Sequence, residues 1–482
     1  MPRSSRNKEH CPTPSIAAHA RSVSLRAIVG TLMLAGAVHC AGSPRVVEDE
    51  PPPSPRFEVV EADAAPPETC QGLACDVATC PEGEETRVSG KVYAPNGTLP
   101  LAGATVYVPS GAIPELHAGA TCETCADWLP ERPVAVATTA ADGSFELRGV
   151  PVGTDVPLVV QVGKWRRKVT LPKVEACTAH VLPREATRLP RSRAEGDMPR
   201  IALTTGVCDD IGCLLPKLGI DPSEIGVPND GDQKRVHVYR GAMDAADAPR
   251  GSAPSSTLWS SAASLSRYDM LLLSCECGER TENKGPAANE AMTRYLEGGG
   301  RIFTTDFMYT FYRDSPSAEL RRAIDVRGGG HEGGRPMSIV PGSGGGKELS
   351  SWLRAATPQS PETVEGRVDF ESVFENIASV DPSRARVWAV SPRPLAPTSP
   401  PGPRIVSVDF PIGRSAGEQC GRAVHIDAHV HQPKAGDRVG PDYPKTCGST
   451  MSTSEAALAF FLFHLADCVV PPTARPGVPP QR

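Results

Sequence analysis

Between residues 86 and 182, apolar and polar positions alternate over short runs. Ala104, Val106 and Val108 fall on one face, and Thr105 and Tyr107 fall on the other. A period of two belongs to a strand with one covered face. Val88, Gly90 and Val92 open the segment, and Val156, Leu158, Val160 and Val162 repeat the pattern later. Asn96-Gly97 and Asp142-Gly143 are turn pairs, the second flanked by Thr139, Phe145 and Leu147. Short alternating strands joined by such turns predict a β-sandwich.

From residue 199 to 469 the pattern changes. Continuous apolar runs at 201–205, 236–239, 270–274 and 301–305 alternate with stretches of helical spacing. Strands apolar on both faces belong to a parallel sheet covered by helices. The spacing predicts helices over 208–218 and 287–296, the second stopped by Gly298-Gly299-Gly300. Strands at 387–390 and 405–409 flank a proline-rich loop, which suits a hairpin addition. The last strand covers 424–430, and an amphipathic helix over 454–466 closes the chain.

The flanks have a different character. Arg3, Arg6, Lys8, Arg21 and Arg26 precede an apolar run at 27–38, followed by small residues around Cys40. This is the three-part layout of a secretory signal over 1–41, and its apolar run is too short to span ~30 Å of hydrocarbon. The segment 42–85 is a proline-rich, acidic tether ending in a cysteine-rich collar, 183–198 is a second linker, and 470–482 is a disordered tail. The chain of 482 residues carries a net charge of −6 and no long basic run, which argues against nucleic acid as a partner.

The 15 cysteines fit an exported chain, because an oxidising compartment favours disulfides. Cys70, Cys75, Cys80, Cys122, Cys125 and Cys177 lie in or before the first domain. Cys208, Cys213, Cys275, Cys277, Cys420, Cys447 and Cys468 lie in the second. The odd second set leaves a thiol free or paired outside its domain. Cys122-x-x-Cys125 is either part of a disulfide set or half of a zinc site. Cys208 and Cys275 each follow a strand at one edge of the expected sheet, so Cys208 or Cys213 is expected to bond Cys275 or Cys277, with a local Cys208–Cys213 bond as the rival.

Several of these residues carry family resemblances. Ala37-Val38-His39-Cys40 is similar to the end of a lipoprotein signal, which implies lipidation of Cys40; cleavage and release is the alternative. Gly90-Lys91-Val92, Leu101-Ala102-Gly103-Ala104-Thr105-Val106, Asp142-Gly143-Ser144-Phe145-Glu146-Leu147 and Val150-Pro151-Val152-Gly153 resemble carboxypeptidase regulatory-like domains. That resemblance implies a prealbumin-like, non-catalytic sandwich over 86–182, with an insertion between Ser110 and Pro133. Tyr268-Asp269-Met270-Leu271-Leu272, Tyr295-Leu296 with Gly298-Gly299-Gly300-Arg301-Ile302-Phe303, and Gly421-Arg422-Ala423-Val424 ending at His429 resemble class I glutamine-amidotransferase-like domains, including the ThuA-like branch. This implies a flavodoxin-like, doubly wound α/β sheet with antiparallel additions over 199–469; residues 326–380 match no part of it. The family's catalytic members place a cysteine after the strand matching 301–305. This chain has Thr304-Thr305-Asp306-Phe307 there and lacks the family's later His-Pro-Glu, so the resemblance does not extend to amidotransferase chemistry.

Two constellations carry candidate chemistry. His425, Asp427, His429 and His431 share one strand face and are a candidate zinc set, set against a polar edge with satisfied histidines. Asp209, Asp210, Cys275, Glu276, Asp306 and Tyr309 fall beyond the carboxyl ends of the expected strands, where open α/β sheets bind ligands, and with His429 they would line an acidic cleft. Gly342-Ser343-Gly344-Gly345-Gly346-Lys347 lacks the P-loop spacing and reads as a flexible loop, and His331-Glu332-Gly333-Gly334 lacks a second zincin histidine. The leading expectation is an exported, non-catalytic protein, secreted or anchored in the outer membrane or periplasm, that binds an envelope partner. The alternatives are a metal-dependent hydrolase built on the histidine strand and a glycan-binding protein using Trp128 or Trp165 of the sandwich. No cofactor other than zinc is implied, and membrane contact is expected only through a lipid on Cys40.

Overall fold

The computed structural model describes residues 70–130, 132–209, 211–242, 248–328, 331–341, 344–364, 366–391, 402–429, 443–444, 447–448 and 450–469. The signal, Cys40, the tether to residue 69, Asp210, Val430, His431 and the 470–482 tail lie outside them. The first seven strands are β1 (Arg87–Lys91), β2 (Thr105–Val108), β3 (Ala135–Thr138), β4 (Ser144–Arg148), β5 (Gly153–Val162), β6 (Trp165–Val174) and β7 (Ala179–Val181). They form two sheets, ordered β4-β1-β7 and β3-β2-β5-β6. Val88 and Leu147 of one sheet share an apolar core with Val106, Leu158 and Val160 of the other. The alternation seen in the sequence produces this, because each strand turns one face inward.

The next strands are β8 (Ile201–Thr204), β9 (Ile225–Gly226), β10 (Val236–Tyr239), β11 (Met270–Leu273), β12 (Arg301–Thr305), β13 (Ile324–Val326), β14 (His331–Ile339), β15 (Arg367–Phe374) and β16 (Ile377–Val380). β17 (Ala385–Val390), β18 (Pro403–Phe410), β19 (Gly421–Ile426) and β20 (Ala428–His429) complete the set. Eleven of them make one sheet, in the order β20-β15-β14-β17-β18-β19-β12-β11-β8-β10-β9. The half from β19 to β9 is parallel throughout. The half from β20 to β18 pairs antiparallel. The expected last strand is broken at Asp427. Its first piece, β19, sits mid-sheet, and its second, β20, pairs with β15 at the far edge. The antiparallel half therefore curls until its edge meets the chain leaving β19.

Some expected elements take other forms. The segment after β8 is two short turns, Ile211–Cys213 and Leu214–Lys217, rather than one helix, because Pro216 leaves no amide to continue it. Glycines 344–346 open the helix Gly344–Ala356 instead of forming a flexible loop. A Cβ on Gly345 would stand 2.5 Å from the Trp388 ring, so glycine permits that approach. The final helix, Thr453–Ala466, is buried at nearly every position, including Glu455 and Phe461, and is not amphipathic. Trp352 and Trp388 pack on Phe460, and Trp165 of β6 packs on Phe463. A helix covered on all sides has no solvent face to encode.

Residues from Glu68 onward consequently form one compact unit. The β5–β6 hairpin is its hinge pin. Lys164 reaches across to Asp269, which precedes β11, at 2.8 Å, and also donates to the carbonyls of His117 and Gly119. Trp352 Nε1 donates to the carbonyl of Pro100, and Asn96 Nδ2 to that of Lys217. The 183–198 segment is tied down as well: Arg188 holds Glu195 with two bonds of 2.6 and 2.7 Å, and Arg191 bonds the Pro95 carbonyl.

Disulfides join Cys70–Cys75, Cys80–Cys177, Cys122–Cys420, Cys208–Cys277 and Cys213–Cys447. Cys122 thus bonds across to the second domain, and the collar cysteines are oxidised rather than gathered round a metal. Multiple disulfides among the described residues are the mark of an extracellular or periplasmic protein. Among the described residues, no helix is long and apolar enough to cross a membrane.

Two predictions follow from this seam. Gly163 has φ of +55°, and a Cβ there would lie 1.8 Å from the Ala466 carbonyl oxygen. Gly163→Ala should cost at least about 3 kcal/mol in urea denaturation. Gly149→Ala, at a φ of +63° in open space, should cost only about 1 kcal/mol. Equal costs would show that the close approach is not what matters.

The second concerns acid. Arg188 bonding, opposed by some burial, holds Glu195 down to about 2 from 4.5. A depressed carboxylate contributes stability above its unfolded pKa and loses it as pH falls through the folded one. Glu195→Gln should therefore be less stable than wild type at pH 7 by on the order of 1–2 kcal/mol, with the gap closing between about pH 4.5 and 2. A gap that persists at pH 2 would contradict this origin.

Candidate functional site

The parallel strands end on a buried polar centre built from four separate segments. Cys275 follows β11, Asp306 follows β12, Asn376 links β15 to β16, and His429 ends β20. Asp306 turns the chain sharply from strand into a 3-10 turn with φ of +36°, a backbone setting that costs a non-glycine residue. Its Oδ2 accepts from the Cys275 thiol at 3.2 Å and faces His429 Nε2 at 2.9 Å. Its Oδ1 accepts from Asn376 Nδ2 at 2.8 Å. Asn376 also donates to Asp427 Oδ1, and its backbone amide donates to Asp427 Oδ2 at 2.7 Å. Cys275 and Asp306 are fully buried, and His429 is 3% exposed.

The environment sets the charges. Burial, then the Asp306 charge, pushes the Cys275 thiol well above the usual range, so it is a thiol and a donor. Burial lifts Asp427 to about 7 and drops His425 to about 4. His425 is thus a neutral imidazole. Its Nδ1 lies 3.0 Å from Thr304 Oγ1, which itself donates to the Val424 carbonyl. Among the described residues its buried Nε2 has no hydrogen-bond partner.

Of the expected zinc set, His425 Nε2 and Asp427 Oδ1 lie 4.0 Å apart, whereas His429 turns to Asp306. His425 faces Thr304 and Tyr312 on one side of the sheet, and Asp427 is held by Asn376 at the break between β19 and β20. Of that set, His429 alone reaches Asp306, and the strand is buried rather than an edge. The strand's face pattern fails because Asp427 leaves the ladder, which resets which way the following residue points. His431 lies outside the described residues.

The expected acidic cleft is filled. Asp209, Glu276, Asp306, Tyr309 and His429 are each at most 3% exposed. Glu276 pairs with the buried Lys284 at 2.7 Å and accepts from Ser255 and the Ala242 amide, and Tyr309 donates to Glu279. Asp306 and His429 come together; Glu276 and Tyr309 belong to neighbouring networks. Of the four cysteines named for this edge, Cys208 bonds Cys277, Cys213 bonds Cys447, and Cys275 is free, as no other cysteine with an assigned state among the described residues is. Asn376 escaped sequence reasoning because it lies in the stretch without a resemblance, and a lone Asn gives no signal.

An open surface lies elsewhere. A groove of about 680 Å³ runs over β17 and β18, lined by Arg384, Arg386, Arg414, Asp409, Ser383 and Gln419 among others. Arg384 is occupied by Glu319 and Asp381, and Arg414 lies 4.0 Å from Glu418. Arg386 stacks on Trp388 with no carboxylate within ion-pair distance among the described residues. Burial, then the nearby Arg422, lowers its pKa.

No family model matches the chain, and no curated protein does. Among solved structures, a ThuA-like protein from Bacteroides uniformis is similar at 8% identity and a TM-score of 0.31, over 55% of this chain and 91% of that one. Another from Parabacteroides merdae gives 9% and 0.30, over 57% and 92%. A cohesin–X-dockerin complex from Acetivibrio cellulolyticus matches over 24% of this chain at a TM-score of 0.14. At these TM-scores none of the three assigns a fold, a family or a residue role to this chain.

The centre makes its own prediction. Asn376→Ala strips Asp306 and Asp427 of a buried donor at once, and should cost about 2–4 kcal/mol by urea denaturation. A cost below about 0.5 kcal/mol, the level of an ordinary surface change, would show that Asn376 does not hold the two carboxylates.

Proposed function

We propose that this chain is an exported, non-catalytic protein of the cell envelope with a binding or scaffolding role. It is read as a carboxypeptidase regulatory-like sandwich followed by a flavodoxin-like, amidotransferase-like domain that has given up amide chemistry. One observation carries the non-catalytic half of this reading. The strained turn after β12, the kind of backbone that displays a nucleophile in α/β enzymes, holds Asp306, and three side chains occupy its buried carboxylate. The parallel order β10-β8-β11-β12-β19 supports the flavodoxin-like assignment, since it reads 2-1-3-4-5 when those strands are numbered along the chain.

The groove over β17 and β18 is where we place the ligand, and its chemistry favours an anion. Its volume suits a small molecule or a short stretch of polymer. Arg386 is half-buried, already stripped of part of its water, and in no direct ion pair among the described residues, although Asp409 and Glu348 act on it from farther off, so an anion meets a reduced desolvation cost there. A glycan platform on the sandwich is less favoured, because Trp128 and Trp165 are 4% and 0% exposed. Thermal-shift titration with sulfate, inorganic phosphate and polygalacturonate tests the reading. At least one should raise the melting temperature of wild type, and Arg386→Ala should remove the shift without changing the unliganded midpoint by more than a few degrees. No shift with any of the three, or an undiminished shift in Arg386→Ala, overturns the anion site. Release of ammonia from glutamine by the purified chain overturns the non-catalytic reading.

A further inference from the structure

The buried centre at the strand ends holds a chemistry that the binding role does not use. Cys275 Sγ, Asp306 Oδ2 and His429 Nε2 lie within 4.8 Å of one another. Two hydrogens point at the same carboxylate oxygen, from the thiol at 3.2 Å and from the imidazole at 2.9 Å. This convergence of a sulfur, a nitrogen and an oxygen on one point is what a divalent metal ion replaces. We propose that Cys275, Asp306 and His429 bind one Zn²⁺-class ion, a site distinct from the anion groove and independent of it.

Three features of the centre favour the ion. The first is spacing. Zinc bonds of ~2.0–2.3 Å set the donors of a tetrahedron roughly 3.3–3.6 Å apart, so the two short contacts need to open by only a few tenths of an ångström, while Cys275 Sγ and His429 Nε2, within 4.8 Å of each other, close onto the ion. The second is charge. One thiolate and one carboxylate neutralise a divalent cation, and a buried neutral cluster avoids the cost of an isolated charge. The third is orientation. Asn376 already fixes the carboxylate through Oδ1, and the Phe374 ring lies 4.7 Å from the His429 ring. Metal-binding carboxylates are held by such outer partners.

The proton balance is simple. The Cys275 thiol gives its proton to solvent as its sulfur bonds the ion, His429 coordinates through Nε2, and Asp306 coordinates through Oδ2. Metal entry thus releases one proton and forms three bonds, S–Zn, N–Zn and O–Zn, with the fourth corner left to a water. The site also explains how a reduced cysteine persists in a chain whose other described cysteines with assigned states are oxidised. A thiolate committed to zinc is a poor partner for disulfide exchange.

Cobalt is the probe, because tetrahedral Co²⁺ bound to a thiolate absorbs in the near-ultraviolet and the visible, whereas carboxylate and imidazole alone give no thiolate band. Oxidised full-length protein, stripped with EDTA and dialysed, should take up about one equivalent of Co²⁺ with a thiolate charge-transfer band that Zn²⁺ abolishes. Cys275→Ser should lose the band, and Asn376→Ala should weaken binding by about 10–100-fold. Near-ultraviolet circular dichroism and a linked Cys208–Cys277 peptide report that each variant has folded. Folded wild type that shows no thiolate band at excess Co²⁺ overturns the site, whatever the variants do. A band that survives in folded Cys275→Ser overturns it too. Arg386→Ala leaves this readout unchanged, so the groove and the metal centre stand or fall separately.

Discussion

The contact on which the molecule depends is the ammonium of Lys164 against the carboxylate of Asp269. Both are buried, and each is held by further partners: Lys164 lies 3.3 Å from Glu123, and Asp269 accepts from the Arg200 amide. Lys164 sits at the tip of the β5–β6 hairpin, and Asp269 stands at the mouth of β11, in the middle of the parallel sheet. Burial raises the pKa of Asp269, and Lys164 opposes that shift. The pair holds only if the hairpin lies flat on the end of the sheet, and that placement brings Gly163 against Ala466 and Trp165 against Phe463. The final helix is thereby sealed between the two halves. What looks like a small β-domain attached to a larger α/β domain is, in packing terms, one core with two kinds of wall.

That seal explains the character of the polar centre. Cys275, Asp306, Asn376 and His429 stand where comparable sheets open to ligand, yet here the curled antiparallel half folds over the strand ends. The side chains there are buried, so most of their polar atoms find partners within the protein, the Nε2 of His425 nearby being an exception. The result is a chain of donors and acceptors that shares a few charges among many groups. The open, hydrated surface lies instead on the antiparallel strands, where the arginines are.

Much of this was legible in the sequence. The period-two runs at Ala104–Val108 and Val156–Val162, the apolar runs that become β8, β10, β11 and β12, and the helix stopped at Gly298 all follow from local rules, because local rules decide them. The edge shared by Cys208 and Cys277 followed from strand adjacency. The final helix was misjudged because periodicity assumes a solvent face, and this helix is walled in by Trp165, Trp352 and Trp388. The face pattern expected of the histidine strand does not run through to His429, because a single residue, Asp427, leaves the ladder. The centre itself joins residues 31 and 123 positions apart, and only the folded topology brings them together.

The Cys122–Cys420 bond spans 298 residues and Cys213–Cys447 spans 234. An exported chain emerges from its translocation channel N-terminus first, with each thiol meeting oxidant as it appears. Joined in order of emergence, Cys80 would take Cys122 long before Cys177 or Cys420 had arrived. The observed pairs differ from those of strictly sequential oxidation, so Cys80 and Cys122 either stay unpaired until their partners arrive or exchange into them.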